Sequence, residues 1–170
     1  SFDTFLGPLV FFDMQFAGVT EDDIKKAVRN FVYNLNVPSR WGQSPFSNIT
    51  IDINCPRDLG NQMPMRGDTG FFLSIKEEYK EYFDIIENFK KENRSTDELI
   101  NDKDALRALE KCTAWNSMIK ELRNRIEGSE DMDEDTLLYS VTYKLFEPEM
   151  HIITKAYYEV MNEGDAFGLP

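Results

Sequence analysis

Apolar residues recur at spacings of three and four through most of the chain, and at a spacing of two in one short stretch. Over 2–16 the positions Phe2, Phe5, Leu6, Leu9, Val10, Phe12 and Phe16 predict a buried helix, with Gly7-Pro8 weakening its middle. Thr20 then stands as an N-cap before Glu21, Asp22 and Asp23, where a helix dipole favours acids. Ile24, Ala27, Val28, Phe31, Val32 and Leu35 continue as one apolar stripe, which must stop before Pro38. A further helix is predicted over 72–93 from Phe72, Ile75, Tyr79, Phe83, Ile86 and Phe89. Residues 96–127 give one or two helices with Leu106, Leu109, Trp115, Ile119, Leu122 and Ile126 inward. A last helix carries Met150, Ile153, Tyr157 and Val160, with Pro148 in its first turn and Gly164 as its C′ residue. Between these lie a loop over 55–70, marked by Pro56, Gly60, Pro64, Gly67 and Gly70, and an acidic loop from Gly128 to Asp135.

The spacing of two falls at Ile49, Ile51 and Ile53, which alternate with Asn48, Thr50 and Asp52 and predict a strand. One face is apolar. The other displays an amide, a hydroxyl and a carboxylate, and meets either water or a substrate-facing sheet interior. The strand leaves a polar loop over 36–46 that holds Pro38, Arg40, Trp41, Gly42 and Pro45. The expected fold class is α+β and mostly helical.

Charge removes several functions. The net charge is −12 and the pI about 4.5, against a basic face for nucleic acid or for an anionic membrane. The apolar patches over 5–19 are interrupted by Asp3, Asp13 and Gln15 and follow no basic segment, so they do not read as a signal peptide. No run approaches a membrane span. Cys55 and Cys112 lie far apart without CxxC spacing, which points to a reduced, cytoplasmic protein. A single histidine, His151, cannot build a His-rich zinc site. The chain opens inside an apolar pattern and stops at Gly168-Leu169-Pro170, as a piece of something longer would.

Candidate chemistry is sparse. There is no P-loop, no GxGxxG and no GxSxG. His151 on the last helix reads as a boundary residue, Cys55 as a packing residue or a pocket-edge thiol, and Cys112 as core. The acids of 76–98 and 127–135 interleave with Lys80, Lys90, Lys91 and Arg94 as on a solvated helix face. Arg40-Trp41 is different: a guanidinium beside an indole can hold an anion and shield it, or simply tie down loop carbonyls.

The run from Asn30-Phe31-Val32-Tyr33-Asn34-Leu35-Asn36-Val37-Pro38-Ser39-Arg40-Trp41-Gly42 through Gln43-Ser44-Pro45-Phe46-Ser47-Asn48-Ile49-Thr50 closely resembles a segment of the anaerobic (class III) ribonucleoside-triphosphate reductases. Phe2-Asp3-Thr4-Phe5-Leu6-Gly7-Pro8 resembles the stretch upstream of it, and Glu149-Met150 through Gly168 resembles the helix before a Phe-Pro-rich strand. The resemblance covers 1–59 and about 140–170, in the family's order. The family pattern often has one more residue between Gly42 and Gln43.

That resemblance implies part of a ten-stranded α/β barrel, divided as a barrel segment over 1–59, a helical acidic insertion over 60–139 and a barrel-associated helix over 140–170. It implies a glycyl-radical enzyme that reduces a ribonucleoside triphosphate, is activated by a radical-SAM activase and forms a homodimer. The glycyl radical and a cysteine-ligated structural zinc would lie outside this stretch, so the chain alone is expected to be inactive and to carry no cofactor. By resemblance, Arg40, Gln43, Ser44 and Asn48 line the substrate site, and no catalytic or metal-binding residue is assigned. Two readings compete with this one. The acidic block 71–135 could make the chain a non-catalytic helical protein-interaction module, and a carboxylate hydrolase would fit the acids but has no motif.

Overall fold

A computed structural model of the chain describes residues 2–36 and 49–163. In chain order the elements are α1 (Phe2–Ala17), α2 (Glu21–Asn36), α3 (Arg57–Gly60), β1 (Met65–Arg66), β2 (Thr69–Gly70), α4 (Phe71–Glu78), α5 (Lys80–Lys91), α6 (Thr96–Asn101), α7 (Lys103–Arg125), α8 (Glu134–Tyr139), a 3-10 turn (Tyr143–Phe146) and α9 (Glu147–Glu163). The described fold is mostly helical, with β1 and β2 forming an antiparallel hairpin. Internal contacts separate two units, one of residues 1–62 with 142–170 and one of 63–141.

In the first unit, α1 and α2 both pack on α9. Val10, Ile24, Val28, Ile153, Ala156 and Val160 form the buried centre of this layer. The glycine in the middle of α1 serves an approach: a Cβ on Gly7 would lie 3.1 Å from the Cβ of Phe146. Beside it, Phe11 and Phe146 meet with ring centroids 5.1 Å apart. The helix runs unbroken through Pro8, so the expected weakening does not end it. Gly18, at φ 62°, turns the chain out of α1. A reciprocal cap then opens α2. The Asp23 carboxylate accepts the Thr20 N–H at 2.9 Å, and Thr20 Oγ1 accepts the Asp23 N–H at 3.2 Å. Glu163 on α9 takes Lys25 at 2.5 Å and Arg29 at 2.9 Å, exposed pairs that fix register more than they add stability.

The predicted strand over 48–53 is not formed by its described residues, 49–53. Alternation makes a segment extended but supplies no partner, and here the backbone groups are claimed by the first turn of α1. The Phe2 N–H donates to the Thr50 carbonyl at 2.8 Å, while the Asp52 and Ile53 amides go to the Asp3 side chain. Ile53 is 46% exposed, so the isoleucines do not share one buried face.

In the second unit, the single helix predicted over 72–93 is two. The chain bends at Tyr79, at φ −94° and ψ 2°. The apolar period runs through the bend, but its two halves serve different neighbours: α4 packs on the hairpin and α8, whereas α5 packs on α7. In α7 Trp115, Ile119 and Leu122 are buried as expected, with Met118 beside them, but in its first turns Ala105 and Ala108 are buried one residue before Leu106 and Leu109. Leu109 is 37% exposed, and Cys112 is half-buried rather than core. Asp102 caps α7 by accepting the amides of Asp104 and Ala105. The acidic loop is tied down by Arg123, which donates to the carbonyls of Ser129 and Met132 at 2.7 Å each.

Candidate functional site

Arg40, Gln43, Ser44 and Asn48 lie outside the described residues, as do Trp41 and Gly164. The described structure gives the two ends of the chain that carries the first four. At one end α2 runs to Asn36 on the α9 layer. At the other, Thr50 is held by the backbone amide of Phe2, and residues 52–55 are pinned by side chains of α1 and α9.

The pins form a chain of hydrogen bonds. Asp3 is fully buried. Its Oδ1 accepts the Asp52 N–H at 2.9 Å, and its Oδ2 accepts the Ile53 N–H at 2.8 Å and the Thr154 hydroxyl at 3.2 Å. The Thr4 hydroxyl donates to Asp52 Oδ2 at 2.6 Å. Next along the chain, Asn54 Oδ1 lies 3.3 Å from His151 Nε2, and the Cys55 N–H donates to Glu147 Oε1 at 3.2 Å. Sequence patterning did not single out Asp3, Thr154 or Glu147. The available signal was an acid and a threonine in the first turn of an otherwise apolar helix.

Two side chains with latent reactivity sit here. His151 is exposed and meets only a neutral amide in this contact, which suits a boundary residue. The Cys55 thiol is pushed up from its ordinary value, first by burial and then by the negative charges of Glu147 and Asp52. A thiol held protonated in this way is a poor nucleophile at neutral pH. Burial likewise pushes up Cys112.

The second unit carries a separate concavity. A cavity of about 370 Å³ is lined by Phe83, Ile86, Cys112 and Trp115, with Lys76, Lys90, Glu87 and Glu134 at its polar positions. The Trp115 indole N–H donates to Glu134 at 2.7 Å, and Lys76 reaches Asp135 at 2.6 Å and Glu134 at 3.6 Å. The cavity is therefore polar-edged and close to neutral.

Among the described residues, no three histidine, cysteine or acidic side chains are grouped to hold a metal ion. The chain has two cysteines, fewer than a cysteine-ligated zinc site needs, so these residues do not fit such a site. Among the described residues, no helix is long and apolar enough to cross a membrane.

Compared with known proteins, residues 1–170 match the family model described as anaerobic ribonucleoside-triphosphate reductase. No curated protein and no solved structure matches the chain.

Proposed function

The chain belongs to the anaerobic ribonucleoside-triphosphate reductase family, and from that membership we propose that it supplies part of the substrate-side wall of such an enzyme, binding a ribonucleoside triphosphate without carrying the radical chemistry. The observation that carries this reading is the family match over the whole of residues 1–170. Within it, Arg40 would hold the phosphates through its guanidinium, and Gln43, Ser44 and Asn48 would supply neutral hydrogen bonds to sugar or base. A local cation matters in a chain of net charge −12, whose overall field repels a triphosphate.

The finer parts of the reading follow the same membership. Residues 1–59 and 140–170 would be a segment of a ten-stranded α/β barrel, and 60–139 a helical insertion. A glycyl radical, a structural zinc, a radical-SAM activase and a second subunit would complete a cytoplasmic enzyme. Each is part of the proposal, and none is assigned to a residue of this chain.

The test is a calorimetric titration of the 170-residue chain with each ribonucleoside triphosphate, beside R40A. Saturable binding that R40A weakens at least tenfold supports the reading. Absence of binding, or binding that R40A leaves unchanged, overturns it. In parallel, the chain mixed with an activase should show no radical signal by electron paramagnetic resonance and no reduced nucleotide. A second reading, that the acidic block 71–135 makes the chain a non-catalytic interaction module, draws on the cavity over Trp115. It predicts that this block captures a protein partner while nucleotide binding is absent.

A further inference from the structure

Phe83, Ile86 and Lys90 recur at spacings of three and four along α5, and they line one cavity with Cys112 and Trp115 of α7. Phe83 and Ile86 are apolar, yet both are only half-buried, because the cavity leaves part of each open. Its volume of about 370 Å³ falls within the ~300–1,000 Å³ usual for small-molecule sites, which pair aromatic and apolar walls with a few polar groups. The walls are held in advance. Trp115 is buried, its indole N–H is committed to Glu134, and its ring stands at 61° to that of Phe83. A planar ring entering here meets both aromatics and orders little protein. Charge narrows the ligand further. Lys76 is engaged by Glu134 and Asp135, and Glu87 by Lys91 at 3.5 Å. Lys90 is exposed and forms no ion pair among the described residues. Its charge is nevertheless felt at the cavity wall: burial pushes the Cys112 thiol up, and the Lys90 ammonium opposes that shift.

We infer that the cavity over Trp115 is a binding site for a small aromatic carboxylate with a single negative charge, whose ring packs on Phe83, Ile86 and Trp115 and whose carboxylate meets Lys90. This site belongs to the second unit and uses none of the residues proposed for the nucleotide. A carboxylate that reaches Lys90 gains a charge-assisted hydrogen bond, and a neutral ligand of the same shape forgoes it. A cationic ligand meets Lys90 with the wrong sign, while the acids of the lining already have partners. A triphosphate brings several negative charges toward Glu87 and Glu134 and is repelled. Asn116 adds a neutral amide to the lining, which suits one carboxylate better than a polyanion.

The experiment titrates the 170-residue chain by calorimetry with cinnamate and with cinnamyl alcohol, its uncharged counterpart, in the wild type, K90Q and K120Q. Both lysines are exposed, so neither substitution disturbs the core. Lys120 lies on α7 outside the lining, and K120Q therefore controls for net charge. An exposed ion pair is worth a few-fold in affinity rather than orders of magnitude. Saturable cinnamate binding that is at least threefold weaker in K90Q and within about 1.5-fold in K120Q, with the alcohol at least threefold weaker than cinnamate in the wild type, supports the inference. Absence of saturable cinnamate binding overturns it. So does equal affinity for acid and alcohol, which would leave an apolar groove only, and so does an equal response of K90Q and K120Q. Nuclear magnetic resonance gives the place: the Trp115 indole N–H should shift with cinnamate occupancy, and a footprint that spares it overturns the inference. Displacement of cinnamate from Trp115 by a ribonucleoside triphosphate would overturn the assignment to a monoanion.

Discussion

Replacing Trp115 with alanine tests whether the second unit is held by the α7 stripe. Trp115 is 2% exposed and meets Phe83 edge-on with centroids 5.6 Å apart. Truncating a buried tryptophan typically costs about 3–5 kcal/mol. The aromatic contact accounts for about 0.5–1.5 kcal/mol of that. The indole bond to Glu134 adds little. That carboxylate is partly exposed and keeps Lys76 at 3.6 Å, so it is rehydrated rather than stranded, and the bond contributes about 0.5–1 kcal/mol. W115A should therefore lose about 4 kcal/mol, a large part of the ~5–15 kcal/mol of a typical domain. W115F, which keeps a ring against Phe83, should lose about 1–2 kcal/mol. Urea unfolding followed by circular dichroism gives the size of the loss, and native-state hydrogen exchange gives its place: amides of α7 should lose protection while those of α9 keep theirs. A loss below about 2 kcal/mol in W115A would refute the packing argument. An equal loss of protection in α7 and α9 would refute the division into two units.

Two further predictions concern titration. Glu163 is held below its ordinary value of 4.5 by hydrogen bonds from Lys25 and then Arg29. A depressed carboxylate adds stability above its unfolded value, and that stability is lost as the pH falls through the folded value. The wild type should accordingly melt higher than E163Q above pH 4.5, with the difference shrinking as the pH falls below that value; a gap in Tm that stays constant as the pH falls would contradict the ion-pair account. Burial raises both thiols above their ordinary value of 9.0. Alkylation by iodoacetamide at pH 8 should be slower in the folded chain than in urea and accelerate above pH 9, and fast modification of Cys55 at pH 7 would contradict the protonated thiol.

The helices were legible where one face meets one neighbour. The Thr20 cap of α2 with its buried Ile24 and Val28, and the inward residues Met150, Ile153 and Val160 of α9, answer to local pattern alone, whereas Phe31, expected in the same stripe of α2, is 37% exposed. The bend at Tyr79 was not legible, because the apolar period continues while the packing partner changes. Nor was the inward face of the first turns of α7, where small alanines rather than Leu109 are buried, whereas Trp115, Ile119 and Leu122 follow the expected period. The alternating isoleucines led to a strand because a period of two reports extension, whereas a strand also requires a second backbone. Here the hydrogen-bonding groups of 50–53 are met by an acid and an amide about fifty residues away in the chain, and no local window contains that pairing. The substrate candidates were legible only by resemblance, since Arg40, Gln43, Ser44 and Asn48 form no spacing motif. Asp3 was hidden because a lone acid in a first turn is also what any helix dipole favours.

The first unit is assembled from both ends of the chain, and this bears on how it is made. Asp3 meets Thr154 across 151 residues of sequence, and Arg29 meets Glu163 across 134. At about 5–20 residues per second, α9 leaves the ribosome on the order of ten seconds after α1. Through that interval α1 lacks its main packing partners, α9 and the 3-10 turn, while residues 63–141 form their unit within one continuous stretch. The order of synthesis thus favours the second unit as the first to close. Its compaction shortens the random-coil loop that α1 and α2 must span to find α9. Until then the phenylalanines of α1 are open to other chains, so yield on expression should depend more on holdase chaperones and growth temperature than on the final stability of either unit.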